Sequence, residues 1–275
     1  MLSRSADLPQ RAGQSTGVWW SQRRWVYLRD LLWELIARDI SLRYKGSFLG
    51  QAWTLLNPLA ELAVLMFVFD TVLSLDIPNY AAFMFTGLLV YGWFQTSLYF
   101  ATGAIVNNRE LIRRPGVPSS ILPIVTVGST LVHFLLSLPV LLGLIVVSGI
   151  ELTSAALTLP AIVALQFVFI LSLAYPLAVV HVWFRDTQYL LRVALQLFFY
   201  LTPIFYQTSS IPDRFRTLYQ MNPMVLLVEA YRDVLLRGKT VDGGPLLIVG
   251  AVSAGLLIAG VALFKHTSHR FGEQL

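Results

Sequence analysis

Trp53, Asn57 and Glu61 stand four residues apart, so a helix through them aligns an indole, an amide and a carboxylate along one stripe. That mixture suits a hydroxyl-rich substrate such as a sugar, whose apolar ring face stacks on an aromatic while its hydroxyls need hydrogen-bonding partners. The same residues could instead make a single interhelical hydrogen bond for packing. A second mixture lies in LQLFFYLTPIFYQTSSIP (195–212), where Gln196, Phe199, Tyr200, Pro203 and Tyr206 approximate one face. Pro203 is expected to break or kink that helix. An aromatic belt at a membrane interface accounts well for Tyr206, less well for Tyr200 and hardly at all for Gln196.

Other chemistry-bearing patterns are weaker. GKT (238–240) ends like a phosphate-binding loop, but the full pattern needs a glycine five positions earlier, where Asp233 stands. HTSH (266–269) offers two imidazoles without further ligands nearby, and His133 and His181 fall in separate apolar runs, so no metal site is expected. No nucleotide-binding motif and no catalytic constellation can be assembled. Any work this chain performs must draw its energy from another chain.

The elements that would carry these residues follow from composition. Of 275 residues, 56% are hydrophobic and only 13% charged, with a mean hydropathy of +0.67. Soluble domains carry about 25% charged residues; a lipid-facing surface is what accommodates so apolar a chain. There is no cysteine, which excludes disulfides and thiolate metal sites. An all-α integral membrane protein is expected. A helix of about 20 apolar residues crosses the hydrocarbon, and candidate runs are 54–75, 81–106, 121–149, 157–183, 189–206 and 245–264.

Six transmembrane helices put both ends on one side, and charge selects which. Arg4, Arg11, Arg23, Arg24, Arg29, Arg38, Arg43 and Lys45 precede the first run, Arg109, Arg113 and Arg114 lie in loop 107–120, and Lys265 and Arg270 in the tail. Loops 76–80 and 150–156 have no Lys or Arg. Both termini are therefore expected in the cytoplasm. With no early apolar stretch and cleavage site, the N-terminus is expected to be retained. Segment 207–244 departs from the rule, being outside yet basic. Its PMVLLVEAYRDVLL (223–236) is too short to span and reads as part of a re-entrant extracytoplasmic helical hairpin between spans five and six.

Before the first span, Trp25, Leu28, Leu32, Leu35, Ile36 and Leu42 recur at helical spacing among arginines. This predicts an N-terminal amphipathic interface helix over 25–45, either a simple anchor or also a dock for a cytoplasmic partner. Residues 1–24 are expected to be a flexible cytoplasmic N-terminus, and 271–275 a cytoplasmic tail. Glu61 falls inside the first span, where a carboxylate costs about 2.5–3.5 kcal/mol, so it should face the bundle or a wet cavity.

RDISLRYKGSFLGQAWTLLNPL (38–59) resembles the approach to the first span in the permease subunits of bacterial polysaccharide ABC exporters, which serve O-antigen, capsule and wall teichoic acid chains. NNRELIRRPGVPSSILPI (107–124) resembles their loop between spans two and three. FRDTQYLLRVALQLFFYLTPIFY and NPMVLLVEAYRDVLLRG resemble their fourth loop, fifth span and outer hairpin. The resemblance implies a permease transmembrane domain over 46–270, with no catalytic residue and no cofactor of its own. It implies a homodimer bound to two copies of a separate ATP-binding cassette ATPase subunit, which carries ATP-Mg. The substrate would be a lipid-linked polysaccharide crossing the bacterial inner membrane, with lipids and no nucleic acid as other partners. The channel would form between the two permeases from first and fifth spans, here Trp53, Asn57, Glu61, Gln196, Phe199, Tyr200 and Tyr206. Arg38, Arg43 and Lys45 would meet the lipid pyrophosphate at the inner leaflet. Carried over by position, Arg109, Glu110, Leu111, Arg113 and Arg114, with Arg185 and Asp186 of the FRD element, would couple to the ATPase. IRRPGVPSS departs from the more usual IKKVPFPRE-like wording and loses an acidic–basic pair near 119–120. Two other readings stand beside this one: a related permease exporting drugs or small lipids, and an integral membrane glycosyltransferase, which would need clustered loop carboxylates or a His/Asp site at the interface.

Overall fold

The computed structural model describes residues 16–43, 45–47, 50–72, 77–112 and 117–271. Among them there is no strand, and four helical segments are long and apolar enough to cross a membrane: Trp53–Asp70, Ile121–Val147, Ser154–Trp183 and Gly243–Thr267. The chain begins with α1 (Thr16–Arg43), a helix that starts well before the expected Trp25. Then come α2 (Trp53–Met66), continued by a π-helical turn over Phe67–Val72, and α3 (Tyr80–Gly103). A short α4 (Arg109–Ile112) precedes α5 (Ile121–Val147), α6 (Leu159–Trp183) and α7 (Thr187–Leu201). The last helices are α8 (Asp213–Gln220), α9 (Pro223–Leu235) and α10 (Gly243–Thr267).

Helix α3 has 24 residues, enough to cross, but its glycines, hydroxyls and aromatic rings lower its hydropathy. It is the centre of the subunit, touching α2, α5, α6, α7 and α9. Its small and polar residues serve those contacts. Ser97 and Thr130 share a hydroxyl hydrogen bond of 2.6 Å to α5, Gln166 of α6 donates to the Val90 carbonyl (2.9 Å), and the Tyr91 hydroxyl donates to the Leu195 carbonyl of α7 (2.6 Å). Helix α10 packs on α6, where Gly260 is small enough to meet Pro176 and Tyr175.

Helix α7 is shorter than the expected run 189–206. Pro203 forces Thr202 out of the helical region (φ −100°, ψ 134°), so the helix ends at Leu201 and residues 202–206 run on without it. At 15 residues, α7 extends only about 22 Å.

The apolar face of α1 does not simply lie in lipid. Leu28, Leu32, Leu35 and Ile36 pack with Leu111, Ile121, Leu122 and Val125 in a second core under α5. At Gly128 of α5 a β-carbon would come within 2.9 Å of Ile36. Leu42, counted on that face by its spacing, is exposed. The GKT stretch is a turn: Gly238 has φ +63° and its carbonyl accepts from the Thr153 hydroxyl, 3.3 Å away. That contact puts the loop after α9 on the same side of the molecule as the Lys/Arg-free loop before α6.

Candidate functional site

Trp53, Asn57 and Glu61 do share a face of α2, and all three are exposed. They form one wall of a cavity of about 710 Å³ between α2, α3 and α5. Gln95, Thr96 and Gly92 of α3 make its floor, and Thr130, His133 and Ser137 of α5 its other wall. Among the described residues no hydrogen bond or ion pair reaches Glu61, so packing within one subunit does not account for it. The groove thus offers an indole, two amides, hydroxyls and a carboxylate, with Arg43 of α1 at one end.

Arg43 lines the α1 end of this groove but is not a free cation. Its Nε donates to Asp39 (2.9 Å), its Nη2 approaches the Ser129 hydroxyl (3.4 Å), and its guanidinium lies 4.0 Å over the Phe100 ring. Ser129 also donates to Asp39. Arg43 therefore fastens α1 to α3 and α5, whereas Arg38 and Lys45 are exposed. The pairing was readable: Asp39 stands one turn before Arg43.

The second stripe divides. Gln196 and Tyr200 face outward on α7 with Tyr189, Val193 and Leu197. Phe199 turns the other way, only 8% exposed, with its ring edge-on to Tyr91 at 5.5 Å. Pro203 is buried beyond the helix end, and Tyr206 is half-buried, its hydroxyl near the Tyr200 carbonyl and the Tyr219 hydroxyl, both at 3.1 Å. No residue of α7 lines the α2 groove. Beyond the two stripes, Phe69 of the turn after α2 stacks on Phe205 of the segment after α7 at 4.7 Å.

Of the expected coupling residues, Glu110 is exposed, Arg109 half-buried, and Leu111 faces inward into the core beneath α1. Arg113 and Arg114 lie outside the described residues. Arg185 and Asp186 are exposed in the turn between α6 and α7. The two regions adjoin: a β-carbon on Gly103 would sit 2.7 Å from the Asn107 amide and 3.1 Å from that of Gln188. Gln188 donates to the Tyr99 carbonyl (3.1 Å), and Arg192 to the Tyr99 hydroxyl (2.8 Å), so the C-terminal end of α3 and the N-terminal end of α7 are latched together.

Arg232 is the functional candidate that spacing alone missed. It is fully buried and paired with Glu229 at 3.0 Å. Burial would raise the Glu229 carboxyl, but the Arg232 and Arg237 guanidiniums bring it below its ordinary value. An arginine inside a 14-residue apolar stretch was the available signal. Among the described residues, no group of three or more His, Asp or Glu is placed to hold a metal.

The profile of a family described as "ABC-2 type transporter" matches residues 30–236, from within α1 to the end of α9. An O-antigen export system permease protein RfbA of Myxococcus xanthus is 37% identical over 249 residues, covering 90% of this chain and 96% of the relative. Its Klebsiella pneumoniae namesake is 30% identical over 250 residues, with the same coverage. The polysialic acid transport protein KpsM of Escherichia coli is 26% identical over 236 residues, 84% of this chain and 91% of the relative.

Proposed function

The chain belongs to the ABC-2 type transporter family, and from that premise we propose that it is the permease subunit of an exporter that moves a polysaccharide out of the bacterial cytoplasm. It is a transport subunit and not an enzyme. The observation that carries the substrate class is the groove on α2, where Trp53 offers a stacking face and Asn57, Glu61 and Gln95 offer hydrogen-bonding groups. A polymer must slide, so its walls should hold it weakly at many places; rings do this because they accept successive sugars without fixing register.

In this reading the four apolar segments are joined by α3 and by α7 with residues 202–206 to make six spans, with both termini in the cytoplasm of an inner-membrane protein. Helices α8 and α9 form the outer re-entrant hairpin. Two copies of the chain bind two copies of an ATPase that holds ATP-Mg, and the path forms where the exposed faces of α2 and α7 from different copies meet. A lipid-facing helix gains nothing from Gln196, whereas a polar path does. Trp53, Asn57, Glu61, Gln196, Tyr200 and Tyr206 line that path, with Phe199 supporting it from behind. Arg38 and Lys45, which are exposed, meet an anionic lipid carrier at the inner leaflet. Arg109, Glu110, Arg113, Arg114, Arg185 and Asp186 face the ATPase, and Leu111 anchors their segment from within.

The deciding experiment uses inverted membrane vesicles holding this chain and its ATPase, loaded from outside with lipid-linked glycan. ATP should drive glycan into the lumen, protected from added glycosidase. Protection that is equal without ATP, or seen only for small amphiphilic drugs, would refute the polysaccharide reading.

Topology has its own expected result. The chain lacks cysteine, so single cysteines report cleanly. In spheroplasts, cysteines at Pro78 and Leu152 should react with an impermeant thiol reagent, and those at Gly116 and Gln274 only after permeabilisation. Labelling of Gly116 in intact spheroplasts is incompatible with six spans.

A further inference from the structure

Ending α7 at Leu201 leaves the backbone of Pro203 and Ile204 buried without a helix to satisfy it. The Arg232 guanidinium does so instead. Its Nη1 donates to the Pro203 carbonyl (2.6 Å), its Nη2 to the Ile204 carbonyl (2.8 Å), and Nη2 and Nε to the Phe83 carbonyl in the first turn of α3 (3.3 and 3.4 Å). The same cation lies 3.4 Å over the Phe83 ring. On its other side Glu229 also takes a hydrogen bond from Arg237 (2.7 Å) and one from Thr208 (3.2 Å). Gly87 makes the approach possible, because a β-carbon there would be 3.0 Å from Arg232 Nη2 and 3.2 Å from the Ile204 α-carbon.

The segment so gripped, by the carbonyls of 203 and 204 and the side chain of Thr208, brackets Phe205 and Tyr206. Phe205 is the hub of a ring cluster: it stacks on Phe69 of the π-helical turn after α2 and touches Phe199, Tyr200 and Tyr206 at 5.2–6.3 Å. The Tyr80 hydroxyl donates to its carbonyl at 2.9 Å. A buried charge is expensive, and an apolar residue of similar volume serves packing as well or better. What an apolar residue cannot do is satisfy three carbonyls from two separate segments together with the Glu229 carboxylate, and a lysine ammonium has neither the fork nor enough donors for all four acceptors.

We infer that Arg232 is a positioning residue for transport: it clamps residues 203–204 against α3 so that the Phe205 cluster stays across the outer ends of α2 and α7 and keeps the path shut at rest. The inference rests on the reading that α2 and α7 line the path. Its test is therefore made without any polysaccharide. A cysteine at Gly92 reports the path, since Gly92 lines the α2 groove and a β-carbon there meets nothing within 4 Å.

The complex, with its ATPase disabled, is reconstituted in liposomes and read two ways: leak of a trapped anionic dye, and labelling of Gly92→Cys by an impermeant thiol reagent from the outer side. Arg232→Lys should raise both rates at least tenfold, and so should Gly87→Ala, which displaces the guanidinium without removing it. Arg232→Lys and Gly87→Ala complexes that assemble normally yet leak and label at the parent's rate would overturn the inference and leave Arg232 as packing alone. Should Arg232→Lys fail to insert, Gly87→Ala decides alone on the same two readouts. Increased leak and labelling of these variants, beside a parent complex with active ATPase that protects no glycan in the vesicle assay, would uphold the clamp while refuting the polysaccharide reading.

Discussion

Glu61→Leu is expected to lower export by at least tenfold while leaving ATPase binding at the parent level, and Glu61→Gln is expected to retain most of it. The carboxylate is exposed on α2 and no described group pairs with it. A charge at this depth costs about 2.5–3.5 kcal/mol unless water or a donor reaches it. Wall residues around it (Gln95, Thr96, Ser137) are polar enough to hold that water. Leucine in this place makes a dry collar, and each hydroxyl of a passing sugar then loses a partner at about 1 kcal/mol or more. Glutamine keeps the hydrogen bonds and gives up only the charge, so the comparison separates hydration from electrostatics. Export and ATP turnover measured on the same vesicles decide it. Normal export by Glu61→Leu would return Glu61 to a packing role and move the path to another face.

What the sequence disclosed and what it hid have physical causes. The α2 stripe was legible because a period of four residues needs no knowledge of neighbours. The α7 stripe was only half legible. Phe199 lies one residue from Tyr200, about 100° around the helix, and whether that step points to solvent or core depends on Tyr91, more than a hundred positions away in the chain. The helix end at Pro203 was foreseeable, but the buried carbonyls it leaves are not a property of any local window. Their donor, Arg232, comes from another helix, so its role could appear only once α3, α7 and α9 were packed together. Arg43 was misjudged for the opposite reason. Reading it as a donor waiting for a lipid pyrophosphate ignored the Asp39 one turn earlier that already engages it.

Arg192→Gln and Tyr99→Phe are each expected to cut export several-fold while ATP hydrolysis by the complex continues, so that more ATP is spent for every chain moved. Residues 105–112, on which the ATPase would push, follow directly from the end of α3. If α3 alone moved, only the floor of the α2 groove would move with it, because the α7 side of the candidate lining is carried by a separate helix. The hydrogen bonds from Gln188 and Arg192 to Tyr99 supply the missing connection, joining the N-terminal end of α7 to the last turns of α3, which lead into α4. The guanidinium also sits 4.8 Å from the Tyr99 ring centre, so Tyr99→Phe removes the hydroxyl acceptor and keeps the cation over the ring. Gln188→Ala removes the contact to the Tyr99 carbonyl alone. If Arg192 and the Tyr99 hydroxyl act only on each other, the double variant should be no worse than the more severe single one. Independent losses that multiply, or an unchanged ratio of export to ATP hydrolysed, would show that α3 and α7 are driven separately, and the stroke would then have to pass through the exposed Arg185–Asp186 turn instead.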